Sequence, residues 1–291
     1  MDDAYGHPNL LGLPNNAMAK VLGNLDIPNH IEYDLLQDAW GPCVFVRRIE
    51  SPNFKKLGPG NVGHHLARFL GGLLANPNFV LGGIRIDFSS TLRPLLEDPR
   101  PHIQEMLTVL QEKMNNNPLR EGPFPLEHLI LEYVPPALVP LAVTLFASRQ
   151  MALSCGMEDV RLDEVVQTDS WRALKQVELA KMEAVPPMAH FGLMRAVIIT
   201  VPHVSRDDLL SIRMAFYDYP LFDMFRMFCA TLTFEAILDA FGTDDQQSLD
   251  FGLLSWPIQN TDGDILFVSF SMGMRCVEFS RSRGKELVPV L

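Results

Sequence analysis

Apolar residues recur along this chain at two spacings, and the spacing changes partway. Near the start, Met18, Val21, Leu22 and Leu25 stand at i, i+3, i+4 and i+7, one face of a helix. Leu13-Pro14 opens that helix, and Asp26, Ile27 and Pro28 close it. Val44, Phe45, Val46 and Ile49 make an apolar run that suits a strand or the end of a helix. A Gly/Pro-rich stretch over residues 51–63 follows. Residues 64–74 then read as a helix, Asn76-Pro77-Asn78 breaks it, and residues 80–88 read as a strand. Pro99 and Pro101 lead into a further helix over residues 103–114.

Beyond Pro125 the pattern shortens to apolar-x-apolar pieces: Leu129 and Leu131, Val160 and Leu162, Val177 and Leu179, Val197 and Ile199. Helical or turn-like stretches over residues 137–147, 168–174, 187–194 and 205–216 separate or follow them. Ser205, three residues ahead of Asp208, is a sound N-terminal cap for the last. The steps between strands run from about 17 to 31 residues, looser than the 20–29 of leucine-rich repeats. The pattern therefore predicts an α/β (α+β) chain whose larger part is a degenerate leucine-rich-repeat-like β/α solenoid. Strand alternation turns the eight apolar residues just named inward. The opposite row is Ile130 and Glu132, Arg161 and Asp163, Glu178 and Ala180, Ile198 and Thr200. Stacking would align these as one stripe on a concave side, with three acids and one arginine among small and apolar residues. Such a stripe suits a protein target with a basic and apolar surface. Two more strands, residues 265–270 and 274–279, close the chain after a turn at residues 261–264.

Composition adds limits. At 291 residues, 47% hydrophobic and 20% charged, the chain can bury a sizeable core. A net charge of -11 argues against a nucleic-acid surface and gives no reason to expect an anionic membrane. Cys43, Cys155, Cys229 and Cys276 are scattered without C-x-x-C spacing and read as reduced thiols. Met1-Asp2-Asp3 is acidic and lacks an apolar h-region, so no signal peptide is expected. No apolar run is long enough for a membrane span. A cytoplasmic or nuclear location is the expectation.

Candidate chemistry is sparse. Gly58, Gly60 and Gly63 form a G-x-G-x-x-G match ahead of the helix over residues 64–74, and Asp87 follows about 24 residues later. In a dinucleotide fold the glycines admit a pyrophosphate and the acid holds a ribose hydroxyl. That fold needs a buried parallel strand just before the first glycine, whereas Lys55-Lys56 stands there. A dinucleotide-binding oxidoreductase is thus the alternative reading, and a turn between two domains the plainer one. His64-His65 lacks further ligands at metal spacing. Ser154-Cys155 lacks a nucleophile-elbow context. The Asp244-Asp245 and Asp262/Asp264 pairs sit in turn-like surroundings. The aromatic-rich stretch over residues 216–228 reads as core. No cofactor, metal or catalytic residue is expected.

The first segment resembles an F-box, carried by Leu13-Pro14, Leu25-Asp26 and Trp40. A second resemblance runs from Trp171 through Val177-Glu178-Leu179 to His190-Phe191. It continues with Val204, Ser205, Arg206, Asp207, Asp208 and Leu209, then Phe222 and Phe225, and ends in residues 277–289. That order looks like the FTH domain, which follows the F-box in a large nematode group. The resemblance implies a three-helix F-box over residues 1–50, a linker and entry segment over 51–125, and an FTH-type domain over 126–291. It implies that Leu13, Pro14, Met18, Val21, Leu22, Leu25, Ile27 and Trp40 bind a Skp-type adaptor and, through it, a cullin. It further implies a non-enzymatic receptor that brings a protein target to a ubiquitin ligase.

Overall fold

The computed structural model describes residues 31–38, 41–48, 55–59, 64, 67–68, 70–72, 81–87, 100–116, 122–154, 162–241, 253–258, 263–271 and 273–283. The chain packs as two units. One draws on residues 1–84, 88–127 and 141–147, the other on 85–87, 128–140 and 148–291.

In the first unit, β1 (Ile31–Asp38), β2 (Gly41–Arg48) and β3 (Lys55–Pro59) form a three-stranded sheet in that order. β1 and β2 are an antiparallel hairpin in which Asp38 faces Gly41 and Ile31 faces Arg48. Within the segment read as a three-helix F-box, residues 31–38 and 41–48 are strands, while residues 1–30 lie outside the described residues. Gly41-Pro42 cannot extend a helix, and the Val44-Phe45-Val46 run favours a pleated backbone. β3 pairs antiparallel with β2, so the strand that carries Gly58 lacks the parallel setting of a dinucleotide site. Gly60 and Gly63 lie outside the described residues.

Helix α1 (Arg100–Asn115), expected over residues 103–114, buries Ile103, Met106, Leu107 and Leu110, an i, i+3, i+4, i+7 stripe. Close by, the flexible Lys113 side chain lies over Gly71, with its Cδ 2.6 Å from where a Cβ would stand. The rings of Phe124 and Phe146, 6.2 Å apart, add to this unit's interior.

A nine-stranded sheet has the order β10-β11-β12-β9-β8-β7-β6-β5-β4. Its strands are β4 (Leu81–Asp87), β5 (Phe124–Glu132), β6 (Phe146–Ser154), β7 (Gln176–Ala180), β8 (Ala196–Val201), β9 (Met224–Cys229), β10 (Leu253–Pro257), β11 (Ile265–Ser271) and β12 (Cys276–Ser282). β6 to β9 pair in parallel. Their register partners Met151, Val177, Val197 and Phe225 are spaced by roughly 20 to 28 residues. Parallel pairing requires a crossover between strands. The crossovers here contain α3 (Leu162–Val165) and α4 (Asp169–Ala173), a 3-10 turn (Met188–Phe191), and α5 (Arg206–Asp218). After β9 come α6 (Phe234–Phe241) and then β10 to β12, all antiparallel.

The strand expected at Val160 and Leu162 is not one: Leu162 opens α3 and is buried there, and Val160 lies outside the described residues. The adjoining Asp163-Glu164 suits the first turn of a helix better than a sheet. That place in the strand succession belongs to β6. The expected helix over residues 137–147 ends early, because α2 (Val139–Leu145) hands over directly to β6 at Phe146. β9 is likewise a strand inside the stretch read only as aromatic core.

Caps agree with the sequence. Ser205 Oγ accepts the Asp208 amide at 3.1 Å while the Asp208 carboxylate accepts the Ser205 amide at 2.8 Å, a reciprocal capping box on α5. Thr168 Oγ1 caps α4 by accepting the Trp171 amide at 3.2 Å. From α5, Leu209, Ile212, Ala215 and Phe216 are buried. Phe216 and Phe241 reach Phe279 of β12, with ring centroids at 6.4 and 5.7 Å, and Phe225 of β9 meets Phe279 at 6.3 Å. One face of the sheet is thus covered by α5 and α6.

Candidate functional site

The other face of the same strands is more open. In β7, Val177 and Leu179 are fully buried while Glu178 between them is exposed. In β8, Val197 and Ile199 are fully buried, Ile198 is half-buried and Thr200 exposed. The same alternation holds in β9 and β12, where Arg226 and Glu278 are half-buried between buried neighbours. Register aligns Ala152, Glu178, Ile198, Arg226, Glu278 and Ser269 as one cross-strand row. Inward placement of Leu129, Leu131, Val177, Leu179, Val197 and Ile199, as alternation requires, agrees with their full burial.

Within that row Arg226 donates from Nε to Glu278 Oε2 at 2.7 Å. This bond, with Glu278's charge, raises the Arg226 pKa further above its ordinary value, against a smaller opposing effect of burial. Toward the other side, Arg85 pairs with Glu132 at 2.5 Å. Glu178 stands exposed between these two pairs of opposite charge. Tyr133 and Lys181, immediately after β5 and β7, both adopt left-handed backbone, with φ of 53° and 60°. Lys181 Nζ donates to Tyr133 Oη at 2.9 Å and lies 4.5 Å from that ring's centroid. Non-glycine residues in this conformation carry backbone strain, and two such residues that touch mark this end of the sheet as a place to look for binding.

The residues expected to hold a target divide into three groups. Glu178, Ile198 and Thr200 are on the open face, and the half-buried Ile130 and Glu132 belong to β5. Asp163 is not part of the sheet. It is an exposed residue of α3, with Oδ1 3.3 Å from His190 Nε2. Arg161 lies outside the described residues. The expected adaptor-binding residues Leu13, Pro14, Met18, Val21, Leu22, Leu25, Ile27 and Trp40 lie outside them too. Arg226 and Glu278 were missed. The signal for Arg226 was the alternation of Phe225, Met227 and Cys229 around it, hidden by the aromatic density of the stretch.

Among the described residues no group of three or more His, Cys, Asp and Glu could hold a metal ion. None of the described helices is long and apolar enough to cross a membrane. Cys229 and Cys276 are buried free thiols, and burial pushes the Cys276 thiol up from its ordinary value. No family model, curated protein or solved structure matches the chain.

Proposed function

We propose that the chain is a non-catalytic receptor that brings a protein target to a cullin-type ubiquitin ligase. The segment from Leu13 to Ile27, with Trp40, would engage a Skp-type adaptor. The β/α part, taken as a solenoid-like FTH-type domain, would hold the target along the row of Glu178, Ile198 and Thr200, extended by Arg226 and Glu278. Acceleration would come from raising the effective concentration of a target lysine near the charged enzyme. A cytoplasmic or nuclear location goes with this reading.

One observation carries it. The separate stretches that resemble the FTH pattern meet as mutual structural supports in one unit. Trp171 Nε1 donates to the His190 carbonyl at 2.9 Å, and the Trp171 and Phe191 rings lie 6.3 Å apart. The stretch at Ser205–Asp208 is the capping box of α5. Phe222 and Phe225 join the ring cluster at Phe279, and Arg281 donates to the carbonyls of Phe216 and Pro220. Residues that look scattered in the chain thus serve as caps, ring contacts and carbonyl ties within one unit, as a domain-defining pattern would.

A second reading is a protein-interaction scaffold that engages no ligase. The β1–β2 hairpin favours it, because strands stand where an F-box has helices. Co-purification with a Skp-type adaptor separates the two. The receptor reading expects capture by the full chain and its loss in Leu13→Ala/Pro14→Ala, with an unchanged melting temperature. Apolar anchors at such an interface cost about 2 kcal/mol or more each when truncated. No capture by the full chain leaves the scaffold, and undiminished capture by the double variant rules out the Leu13-Pro14 contact as drawn.

A further inference from the structure

At the starts of the parallel strands the register lines up a second row. Gln150, Gln176 and Ala196 are partners across β6, β7 and β8. The residue before each is a cation: Arg149, Lys175 and Arg195. Their backbones are tied directly. The Lys175 N–H donates to the Arg149 carbonyl at 2.9 Å, and the Arg195 N–H to the Lys175 carbonyl at 2.8 Å. The row continues the same way, with the Asp223 N–H donating to Arg195 and the Arg281 N–H to Asp223, each at 2.8 Å.

The two ends of this row are treated differently. Asp223 pairs with Arg283 at 2.5 Å, and the buried Arg281 guanidinium serves the carbonyls of Phe216 and Pro220. Arg149, Lys175 and Arg195 are all exposed, and their side chains have no hydrogen bond or ion pair among the described residues. Neighbouring strands lie about 4.8 Å apart, so three like charges stand within roughly 10 Å. Like charges directly opposite one another on adjacent strands destabilise a sheet. The chain as a whole carries a net charge of -11, so ample acid was at hand to neutralise them. An anion from outside would relieve the repulsion.

Apolar surface adjoins the row. Leu193, two residues before Arg195, is 54% exposed, and Leu221, two residues before Asp223, is 44% exposed. Between them Gly192 admits the Tyr219 ring, since a Cβ there would lie 2.8 Å from its Cε1. The segments that carry the two leucines are therefore in contact.

This combination selects among anions. A nucleic-acid strand carries phosphates well beyond a 10 Å row and would meet the field of a strongly acidic chain. Exposed leucines beside the cations have nothing to gain from a lone phosphoryl group. A short peptide that carries both carboxylates and apolar side chains matches both halves of the surface. We propose that Arg149, Lys175 and Arg195 dock the carboxylates of an acidic protein segment, whose apolar side chains cover Leu193 and Leu221. The inference stands apart from the receptor reading, and the surface is distinct from the open sheet face at Glu178.

The test is an anisotropy titration of the full chain against a labelled peptide of Glu-Glu-Leu repeats. At about 20 mM salt, where screening reaches only over some 20 Å, binding should saturate below about 1 mM. It should weaken about tenfold or more near 0.5 M salt. A glutamine-for-glutamate peptide should bind at least tenfold more weakly, and a serine-for-leucine peptide several-fold more weakly. Lys175→Glu should cost about tenfold or more, while Lys181→Glu, the same charge change just past the other end of β7, should cost less than about twofold. Arg195→Gln, expected to cost about threefold at an unchanged melting temperature, covers the case in which Lys175→Glu melts early. Absence of binding at about 2 mM peptide in low salt would overturn the proposal. So would equal losses in Lys175→Glu and Lys181→Glu, or equal binding of the glutamine peptide. Tighter binding of a phosphoserine peptide or an oligonucleotide of matched charge would replace the carboxylate partner with a phosphate one. Adaptor capture plays no part in this titration, so the receptor reading stands or falls separately.

Discussion

The two faces of the strands β7, β8, β9 and β12 share one backbone and differ in what holds them. On the inner face Val177, Leu179, Val197, Ile199, Phe225, Met227, Val277 and Phe279 are out of water and packed against one another and the helices. On the outer face Glu178, Ile198, Arg226 and Glu278 are aligned by register and keep contact with solvent. Burial of apolar area stabilises the first set, at roughly 1.5–3 kcal/mol for each large side chain. The second set gains only partly screened ion pairs and cross-strand contacts. Stability is therefore concentrated on one face, and the other contributes little to it.

The inner face breaks most easily at Phe279. Its ring is fully buried against Phe216, Phe225 and Phe241. Phe279→Ala should cost about 3–5 kcal/mol in urea unfolding with an unchanged slope. A loss below about 1 kcal/mol would mean that this face is not the main core.

Arg281 comes next, a charged side chain on the buried face that is only 2% exposed. It donates to the Pro220 carbonyl at 2.6 Å and to the Phe216 carbonyl, and so ties β12 to the end of α5. Burial pushes its pKa below the ordinary arginine value, partly offset by Asp264 3.8 Å away. Arg281→Met keeps the length and strands both carbonyls, for an expected loss of about 2 kcal/mol. An unchanged or higher stability would mean that the buried charge costs more than its bonds return.

Arg226 and Glu278 test the outer face. Their side chains are 41% and 30% exposed, so solvent screens the pair despite its short contact. A double-mutant cycle with alanine should give a coupling below about 1 kcal/mol that shrinks as salt is raised. A coupling of several kcal/mol would remove the contrast between the faces.

The smallest effect is expected at Cys276. Burial raises its thiol above the ordinary value of 9.0, more than Arg226 lowers it. The folded state therefore holds this proton to a higher pH than the unfolded chain does. The contribution to stability is intact below the unfolded value and falls away as pH rises through the folded one. Melting temperatures from pH 7 to 10 should decline more steeply for the native chain than for Cys276→Ala above about pH 9. Parallel curves would remove the assignment.

Much of the inner face was legible in the chain. Apolar-x-apolar pieces at Val177 and Val197, the Ser205 cap and the helix over residues 103–114 are local signals, and each is borne out. Among the strands that were not read, β6 and β9 were hidden for different reasons. β6 follows α2 without a break, so the 137–147 helix pattern hid its start. β9 carries Phe and Met on both faces, which masks the period-2 contrast that marks a half-buried strand. The Val160-Leu162 piece shows the converse error, since an apolar pair separated by one residue is short enough to fit a helical turn as well.

What the chain determined by itself was the side of β5, β7 and β8 that faces the core, because alternation depends only on neighbours two residues apart. Helix boundaries at α5 followed for the same reason: a cap is satisfied within four residues. What only the tertiary structure decided was company. Arg226 meets Glu278 across 52 positions, Tyr133 meets Lys181 across 48, and the Trp171 indole reaches the His190 carbonyl across 19.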